Sequence, residues 1–195
     1  MEAPGFRIDW QTPIGELLAM EPRLDEVVAH VDRLAAAYND PHNATLLGHT
    51  AALTTTDVVD HYESLRRQGA HPFLLFLDGE LAGDGDIRGM QGTAAEFAFM
   101  IAAPAAQGKG LGTRFAAMIH AFAFAHLPLH TMYASIIPEN AASRRVFEKL
   151  GYALDTSTTA RSFADDEGDV IMSIAATTFL DRHRSAISQM RIIMR

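Results

Sequence analysis

The chain of 195 residues contains no cysteine, fewer basic than acidic side chains and no long apolar run. The absence of cysteine excludes disulfides, thiolate metal ligands and a cysteine nucleophile. Sixteen lysines and arginines against 24 aspartates and glutamates leave a formal net charge of −8, which disfavours binding to nucleic acid. No segment reaches the roughly 18 apolar residues of a transmembrane helix, and residues 1–10 do not resemble a signal peptide. We therefore expect a cytoplasmic protein that binds neither nucleic acid nor membrane.

Periodicity predicts an α+β, or mixed α/β, domain. Apolar residues at helical spacing predict one helix over 21–38. Pro41, Asn43 and Gly48 then predict a loop, and threonines 54–56 can cap a second helix. From residue 71 the pattern becomes strand-like: an apolar run, the turn dipeptide Asp78-Gly79, and further runs over 80–87 and 94–102. A helix, a strand at 131–137 and a short helix ending at Gly151 follow. Two last strands are predicted at about 156–163 and 169–175.

A glycine-rich loop, residues 107–113 (QGKGLGT), lies between a predicted strand and a predicted helix. Free backbone N–H groups and the helix dipole attract an anion at such a position, and Lys109 adds a positive charge. The loop is neither a P-loop nor a dinucleotide fingerprint, because Ala103 and Thr113 stand where those motifs need glycine. The loop therefore predicts an anion-binding site of another kind.

The loop instead has the form Q-x-x-G-x-G, and here the sequence resembles the GNAT superfamily of acyl-CoA-dependent N-acyltransferases. Two further matches support the resemblance. Glu96 lies eleven residues before Gln107, where many members keep a catalytic glutamate, and residues 140–152 (NAASRRVFEKLGY) resemble the second cofactor motif. The resemblance covers about residues 71–175, and the spacing from Asn140 to Ser143 is most like the RimJ/RimL-type branch.

The resemblance implies a central, mostly antiparallel twisted sheet, flanked by helices and splayed between the strands at about 94–102 and 131–137. Acetyl-CoA would lie in that gap as the acyl donor. Glu96 would be the general base, with its pKa raised by burial beside Phe97 and Phe99. Ser143 would donate a hydrogen bond to the leaving thiolate, because Phe147 stands where many members have a tyrosine. The implied cofactor-binding residues are Met100, Ile101, Gln107, Gly108, Lys109, Gly110, Leu111, Gly112, Thr113 and Asn140.

We expect one acyltransferase domain over residues 1–180, with a helical substrate-side region at 1–70, a cofactor-binding core at 71–175 and a tail at 181–195. Without cysteine, no acetyl-cysteine forms, so an amine would attack the thioester directly in a ternary complex. A protein or peptide α-amine is the first acceptor considered. A small amine such as an aminoglycoside or polyamine, and a non-catalytic acyl-CoA sensor, remain alternatives. We expect no metal, because Pro128 separates His126 from His130, and a monomer or homodimer.

Overall fold

The computed structural model describes residues 5–48, 51–102 and 108–194, which form one nine-stranded sheet and seven helices. The strands are β1 (Phe6–Thr12), β2 (Gly15–Met20), β3 (His71–Leu77), β4 (Glu80–Gln91), β5 (Ala94–Ile101), β6 (Thr131–Ile136), β7 (Ala153–Leu154), β8 (Val170–Ala175) and β9 (Met190–Met194). The helices are α1 (Leu24–Tyr38), α2 (Pro41–Leu46), α3 (Thr55–Arg67), α4 (Leu111–His126), α5 (Ala141–Leu150), α6 (Thr158–Arg161) and α7 (Ala176–Ile187). No helix within these ranges is long and apolar enough to cross a bilayer.

The sheet runs in the order β7-β8-β6-β5-β4-β3-β2-β1-β9, and every neighbouring pair is antiparallel except β5 and β6. The parallel pairing between β5 and β6 covers only Ala94 to Glu96 against Thr131 to Tyr133. Beyond Glu96 the two strands pair no further within the described residues, so the sheet forks there. The predicted mostly antiparallel sheet, splayed between these two strands, is confirmed.

Helices cover both faces of the sheet. On one face α4, α5 and α7 pack over a large core that includes Phe97, Phe115 and Phe179. On the other face α1 and α3 pack over a smaller core around Leu34, Tyr62 and Leu74. The forked end of the sheet therefore opens between two packed layers.

The hairpin of β3 and β4 turns at Asp78 and Gly79, as the dipeptide predicts. Their φ angles of +51° and +81° are the left-handed values that a two-residue type I′ turn requires. The twelve-residue β4 that follows lies beside β5 and carries charged residues toward the fork.

Three predictions about local structure are wrong. The opening region is not only helical, because residues 6–20 form the hairpin of β1 and β2, whose alternation of buried Phe6, Ile8 and Trp10 with polar neighbours is a strand pattern. Residues 41–46 form α2 rather than a loop, with Asp40 as the capping residue. The strand expected at 156–163 is absent, since that stretch holds the helical turn α6.

The C-terminal residues are also part of the fold rather than a loose tail. Residues 176–187 form α7, and β9 pairs with β1 over Met190 to Met194. Ile187, Met190 and Met194 follow helical spacing in the sequence, but Ile187 ends α7 whereas Met190 and Met194 belong to the edge strand β9. Sequence periodicity alone could not show this change, because the residues of β9 pair with residues of β1 that lie 180 or more positions away in the chain.

Candidate active site

Two cavities meet at the fork in the sheet. One, of about 200 Å³, lies against the start of α4 and is flanked by α5; the other, of about 540 Å³, lies on the side of α1, α3 and the loop at 164–169. Six residues line both cavities: Leu46, Leu47, Phe99, Met100, Asn140 and Ser143. The arrangement can therefore bring a ligand of the first cavity into contact with a ligand of the second.

The first cavity is built around the N-terminus of α4. Gly108 and Gly110 have φ angles of +76° and +78°, and Gly110 is the residue before the first turn of the helix. These left-handed angles suit glycine, which has no side chain of its own to shield the backbone N–H groups of the loop. The first amides of α4 have no partner within the helix, so they can donate to an anion.

Eight of the ten predicted cofactor residues line this first cavity. They are Met100, Ile101, Gly108, Gly110, Leu111, Gly112, Thr113 and Asn140. Gln107 lies outside the described residues. Lys109 is exposed on the loop and is not in the described lining of either cavity.

Two cations that the sequence reading did not single out, Arg145 and Lys149, line the first cavity from α5. They are four residues apart, so they lie on one face of that helix. This i, i+4 spacing was visible in the sequence. That the two side chains face the glycine loop depends on how α5 packs in the fold. The site therefore holds more positive charge than Lys109 alone would supply.

Asn140 and Ser143 stand at the start of α5, where the two cavities join. The Asn140 side-chain oxygen accepts a hydrogen bond from the Ser143 backbone N–H at 2.9 Å, which caps the helix. Its amide nitrogen lies 3.4 Å from the Leu46 carbonyl oxygen, which ties α5 to the end of α2. Phe147, one turn further along α5, lines the second cavity and is 2% exposed.

The second cavity is strongly acidic. Six aspartates line it, namely Asp57, Asp84, Asp86, Asp165, Asp166 and Asp169, whereas Arg88 is the one lysine or arginine in its described lining. Three of these aspartates come from the acidic turn at 165–169, which is held to β6 through Ser135. The Ser135 hydroxyl donates to Asp169 at 2.6 Å and accepts from the Asp165 backbone N–H at 3.0 Å.

Asp84 and Asp86 lie on the same face of β4 because they are two residues apart in a strand. The neighbouring Gly85 faces the opposite side, where a Cβ atom would lie 2.6 Å from the Ala98 carbonyl oxygen. Asp84 accepts hydrogen bonds from the hydroxyls of Tyr38 and Tyr62, the latter at 2.8 Å. Burial raises the pKa of Asp84 to about 6 even though both hydroxyls favour its ionised form.

Asp86 is 7% exposed, and its Oδ1 atom has no hydrogen-bond partner among the described residues. Arg88 Nη1 lies 3.8 Å from Oδ1, close enough for an ion pair but not for a hydrogen bond. Burial raises the pKa of Asp86 to about 7, against the opposing effect of Arg88. This carboxyl group therefore titrates near neutral pH.

Glu96 is 5% exposed at the base of the fork. Arg88, its partner across β4 and β5, donates from Nη2 to Oε1 at 3.0 Å and from Nε to Oε2 at 3.1 Å. Burial raises the pKa of Glu96, and the Arg88 guanidinium acts in the opposite direction. The described lining of the two cavities does not include Glu96.

Comparison with known families decides the assignment. A sequence model of the acetyltransferase (GNAT) domain matches residues 23–153, about two thirds of the chain. The chain belongs to the GNAT acetyltransferase family. A search of curated protein sequences found no match.

Several solved structures share the GNAT fold of this chain. An aminoglycoside acetyltransferase, AAC(6')-Ib with coenzyme A, is 21% identical, covering 80% of this chain and 95% of its own at a TM-score of 0.69. Mycobacterium smegmatis RimJ is 20% identical, and the match covers 95% of this chain and 96% of RimJ at a TM-score of 0.67. Spermidine N-acetyltransferase from Vibrio cholerae, in complex with CoA and spermine, is 17% identical. The match covers 84% of this chain and 98% of that enzyme at a TM-score of 0.68.

The first cavity suits the acyl-CoA that GNAT acetyltransferases use. Its glycine loop exposes backbone donors at a helix N-terminus, which fits a pyrophosphate. Phe99 and Leu111 provide apolar walls, and Arg145 and Lys149 supply positive charge for further phosphate. Acetyl-CoA, when bound, supplies an acetyl thioester, and the cavity ends at the junction where Ser143 lies.

Proposed function

We propose that this protein is an N-acetyltransferase that moves the acetyl group of acetyl-CoA to a primary amine held in the acidic cavity. The observation that carries the proposal is the junction of the two cavities at the fork. One side carries glycines, a helix N-terminus and cations, which suit a polyanionic CoA, and the other carries six aspartates, which suit a cationic amine. The amine would attack the thioester directly, because the chain has no cysteine to carry the acetyl group.

The acceptor that we propose is a small amine with more than one positive charge. An α-amine at a peptide terminus carries a single charge, whereas the cavity presents six aspartates against one arginine. A polyamine or an aminoglycoside offers several ammonium groups to such a surface. Two of the structural neighbours are an aminoglycoside and a spermidine acetyltransferase, and these names agree with the proposal. RimL, a further structural neighbour described as a ribosomal L7/L12 α-N-protein acetyltransferase, makes a protein α-amine the second candidate.

Proton transfer is the chemical problem that the chain must solve. An ammonium group has no free electron pair, so it must lose a proton before it attacks. A lysine-like amine with a pKa of about 10.4 is mostly protonated at neutral pH. A carboxylate near the fork is therefore needed as a base, and a donor is needed for the leaving sulfur. Glu96 and Ser143 are the residues that the family resemblance proposes for these roles.

Calorimetry with acetyl-CoA, followed by a free-thiol release assay, tests the proposal. The amine panel contains spermine, kanamycin, a peptide with a free α-amine and the same peptide acetylated at its terminus as the control. We expect thiol release with spermine or kanamycin, and a steep loss of rate at high salt. Thiol release with the free peptide alone would show that the acceptor is a peptide α-amine, the second candidate. Tight acetyl-CoA binding without release for any amine would indicate a sensor, and failure to bind acetyl-CoA would overturn the assignment.

A further inference from the structure

Among the described carboxylates around the fork, Asp86 is the one that has a buried oxygen without a hydrogen-bond partner. Its side chain is 9% exposed, it lines the acidic cavity, and its Oδ1 atom has no hydrogen-bond partner among the described residues. Leaving a buried polar atom without a partner costs free energy, so native proteins rarely do it without a reason. A ligand that donates a hydrogen bond to this oxygen, once the carboxyl group has turned it toward the cavity, would remove this cost.

The two neighbouring carboxylates already accept hydrogen bonds from protein groups. Both oxygens of Glu96 accept from the Arg88 guanidinium, and Oδ2 of Asp84 accepts from the hydroxyls of two buried tyrosines. A carboxylate whose two oxygens are both held by a guanidinium has fewer lone pairs free for a substrate proton, and the guanidinium lowers its pKa. Asp86 is held less tightly, because Arg88 Nη1 lies 3.8 Å from its Oδ1, beyond hydrogen-bond distance, so its carboxyl group can rotate to turn this buried oxygen toward the cavity.

We propose that Asp86 is the carboxylate that binds the ammonium group of the acceptor and takes its proton, with Glu96 acting as a positioning residue that holds Arg88. The inference rests on the proposed function and deepens it by naming the residue that meets the substrate amine. It differs from the family resemblance, which points to Glu96.

The proton balance of the transfer is complete with Asp86 as the base. One of the three ammonium protons goes to the Asp86 carboxylate, which leaves the nitrogen with a free electron pair. The nitrogen then bonds to the acetyl carbon while the carbon–sulfur bond of the thioester breaks. A second proton passes to the departing sulfur, and the third remains on the amide. Asp86 afterwards returns its proton to water.

The charges around Asp86 support this role. Burial raises its pKa to about 7, Arg88 lowers it, and Asp84, Glu96 and Asp165 raise it. A base with a pKa close to neutral accepts protons effectively at neutral pH. Across the cavity, α1 contributes Tyr38, which bonds to Asp84, and α3 contributes Asp57 and His61.

Cation binding at Asp86 has a measurable consequence. A bound ammonium favours the ionised carboxylate and lowers its pKa, so binding at pH 7 must release part of a proton. Calorimetry in buffers of different ionisation enthalpy measures this release. Spermine is the probe, and it is titrated into the CoA-loaded protein, because CoA without an acetyl group permits spermine binding but no acetyl transfer.

The variants Asp86→Asn and Asp60→Asn form a matched pair. Asp60 is exposed on α3 and is not in the described lining of the cavity. We expect Asp86→Asn to weaken spermine binding at least tenfold and to abolish most of the proton release, with CoA affinity unchanged. Asp60→Asn should behave like the wild type. Wild-type affinity and proton release in Asp86→Asn, or no spermine binding to the wild type, would overturn the inference.

Kinetics with an acceptor from the amine panel provide the second measurement. We expect kcat/KM of the wild type to rise with pH through about 7, and Asp86→Asn to lose this rise together with at least a hundredfold in rate. Glu96→Gln should keep the rise. If the wild type transfers acetyl and Asp86→Asn retains its rate and pH profile, the inference fails and the proposed function stands. If acetyl-CoA does not bind, the proposed function itself fails.

Discussion

Arg88 and Glu96 face each other across β4 and β5 at the base of the fork, and the guanidinium holds both carboxylate oxygens of Glu96, at 3.0 and 3.1 Å. The same guanidinium donates to Asp165 at 2.8 Å and lies 3.8 Å from Asp86. Arg88 is thus the cation shared by Glu96, Asp86 and Asp165. Burial disfavours its charge, but these carboxylates outweigh the effect and raise its pKa.

Removal of Arg88 should destabilise the fold. Arg88→Ala leaves the buried carboxylates of Glu96 and Asp86 without their cation, and breaking a buried pair in this way costs about 3–5 kcal/mol. The loss should be smaller at pH 5 than at pH 8, because the carboxyls can then be protonated in the folded state. Urea unfolding at the two pH values measures it. The double variant Arg88→Met with Glu96→Gln should recover much of the stability, because it removes both charges of the pair. A loss of less than about 1 kcal/mol in the unfolding free energy of Arg88→Ala would contradict the role of the pair.

Asp86 should lower the stability of the protein at neutral pH. Its pKa is about 7 in the folded state against 3.8 as the ordinary value, so the folded protein holds more protons and stability falls as pH rises through this window. Asp86→Asn should therefore be more stable than the wild type, by little near pH 4 and by up to about 4 kcal/mol above pH 7. Urea unfolding as a function of pH tests this, with Asp60→Asn as the control. A difference that does not depend on pH would contradict it.

The glycine loop can be tested with two alanine variants. Gly110 and Gly69 have similar φ angles, +78° and +74°, but Gly69 follows α3 and lies outside the described lining of both cavities. The left-handed backbone should cost each alanine about 1–2 kcal/mol of stability. At Gly110 the new Cβ must also displace the Arg114 guanidinium, whose Nη1 would lie 2.6 Å away, whereas Gly69 has open space. Only Gly110→Ala should weaken CoA binding, by tenfold or more, as measured by calorimetry. Equal CoA affinities for the two variants would mean that the loop does not bind the pyrophosphate.

Ser143 should affect turnover rather than acetyl-CoA binding. A hydroxyl that donates to the departing sulfur stabilises the negative charge that develops there, and its loss should lower kcat about tenfold. The KM for acetyl-CoA should change less than twofold in Ser143→Ala, and Ser143→Thr should keep most of the rate. Adding Phe147→Tyr to Ser143→Ala should restore part of it. Unchanged kcat in Ser143→Ala would show that the sulfur obtains its proton elsewhere.

Local signals in the sequence were sufficient for much of the fold. The hairpin turn at Asp78 and Gly79, the capping Asn140 and the left-handed Gly151 each act within a few residues, so short patterns reveal them. The glycine loop belongs to the same class, because its conformation and its position before α4 are set locally. Strands β1 and β9 were missed, because each is stabilised by pairing with residues distant in the chain.

The sequence by itself determined the family, the mixed α/β class and most of the cofactor cavity, since these depend on contiguous motifs. Only the tertiary structure decided the character of the acceptor cavity. Its six aspartates come from α3, β4 and the loop at 164–169, and their charges combine because the fork brings these elements together. The tertiary structure also decided the hydrogen-bond partners of each carboxylate. Glu96 accepts two hydrogen bonds from Arg88, Asp84 accepts from two tyrosines, and Oδ1 of Asp86 has no hydrogen-bond partner among the described residues. Burial and neighbouring groups, rather than residue type, therefore set what each carboxylate can do.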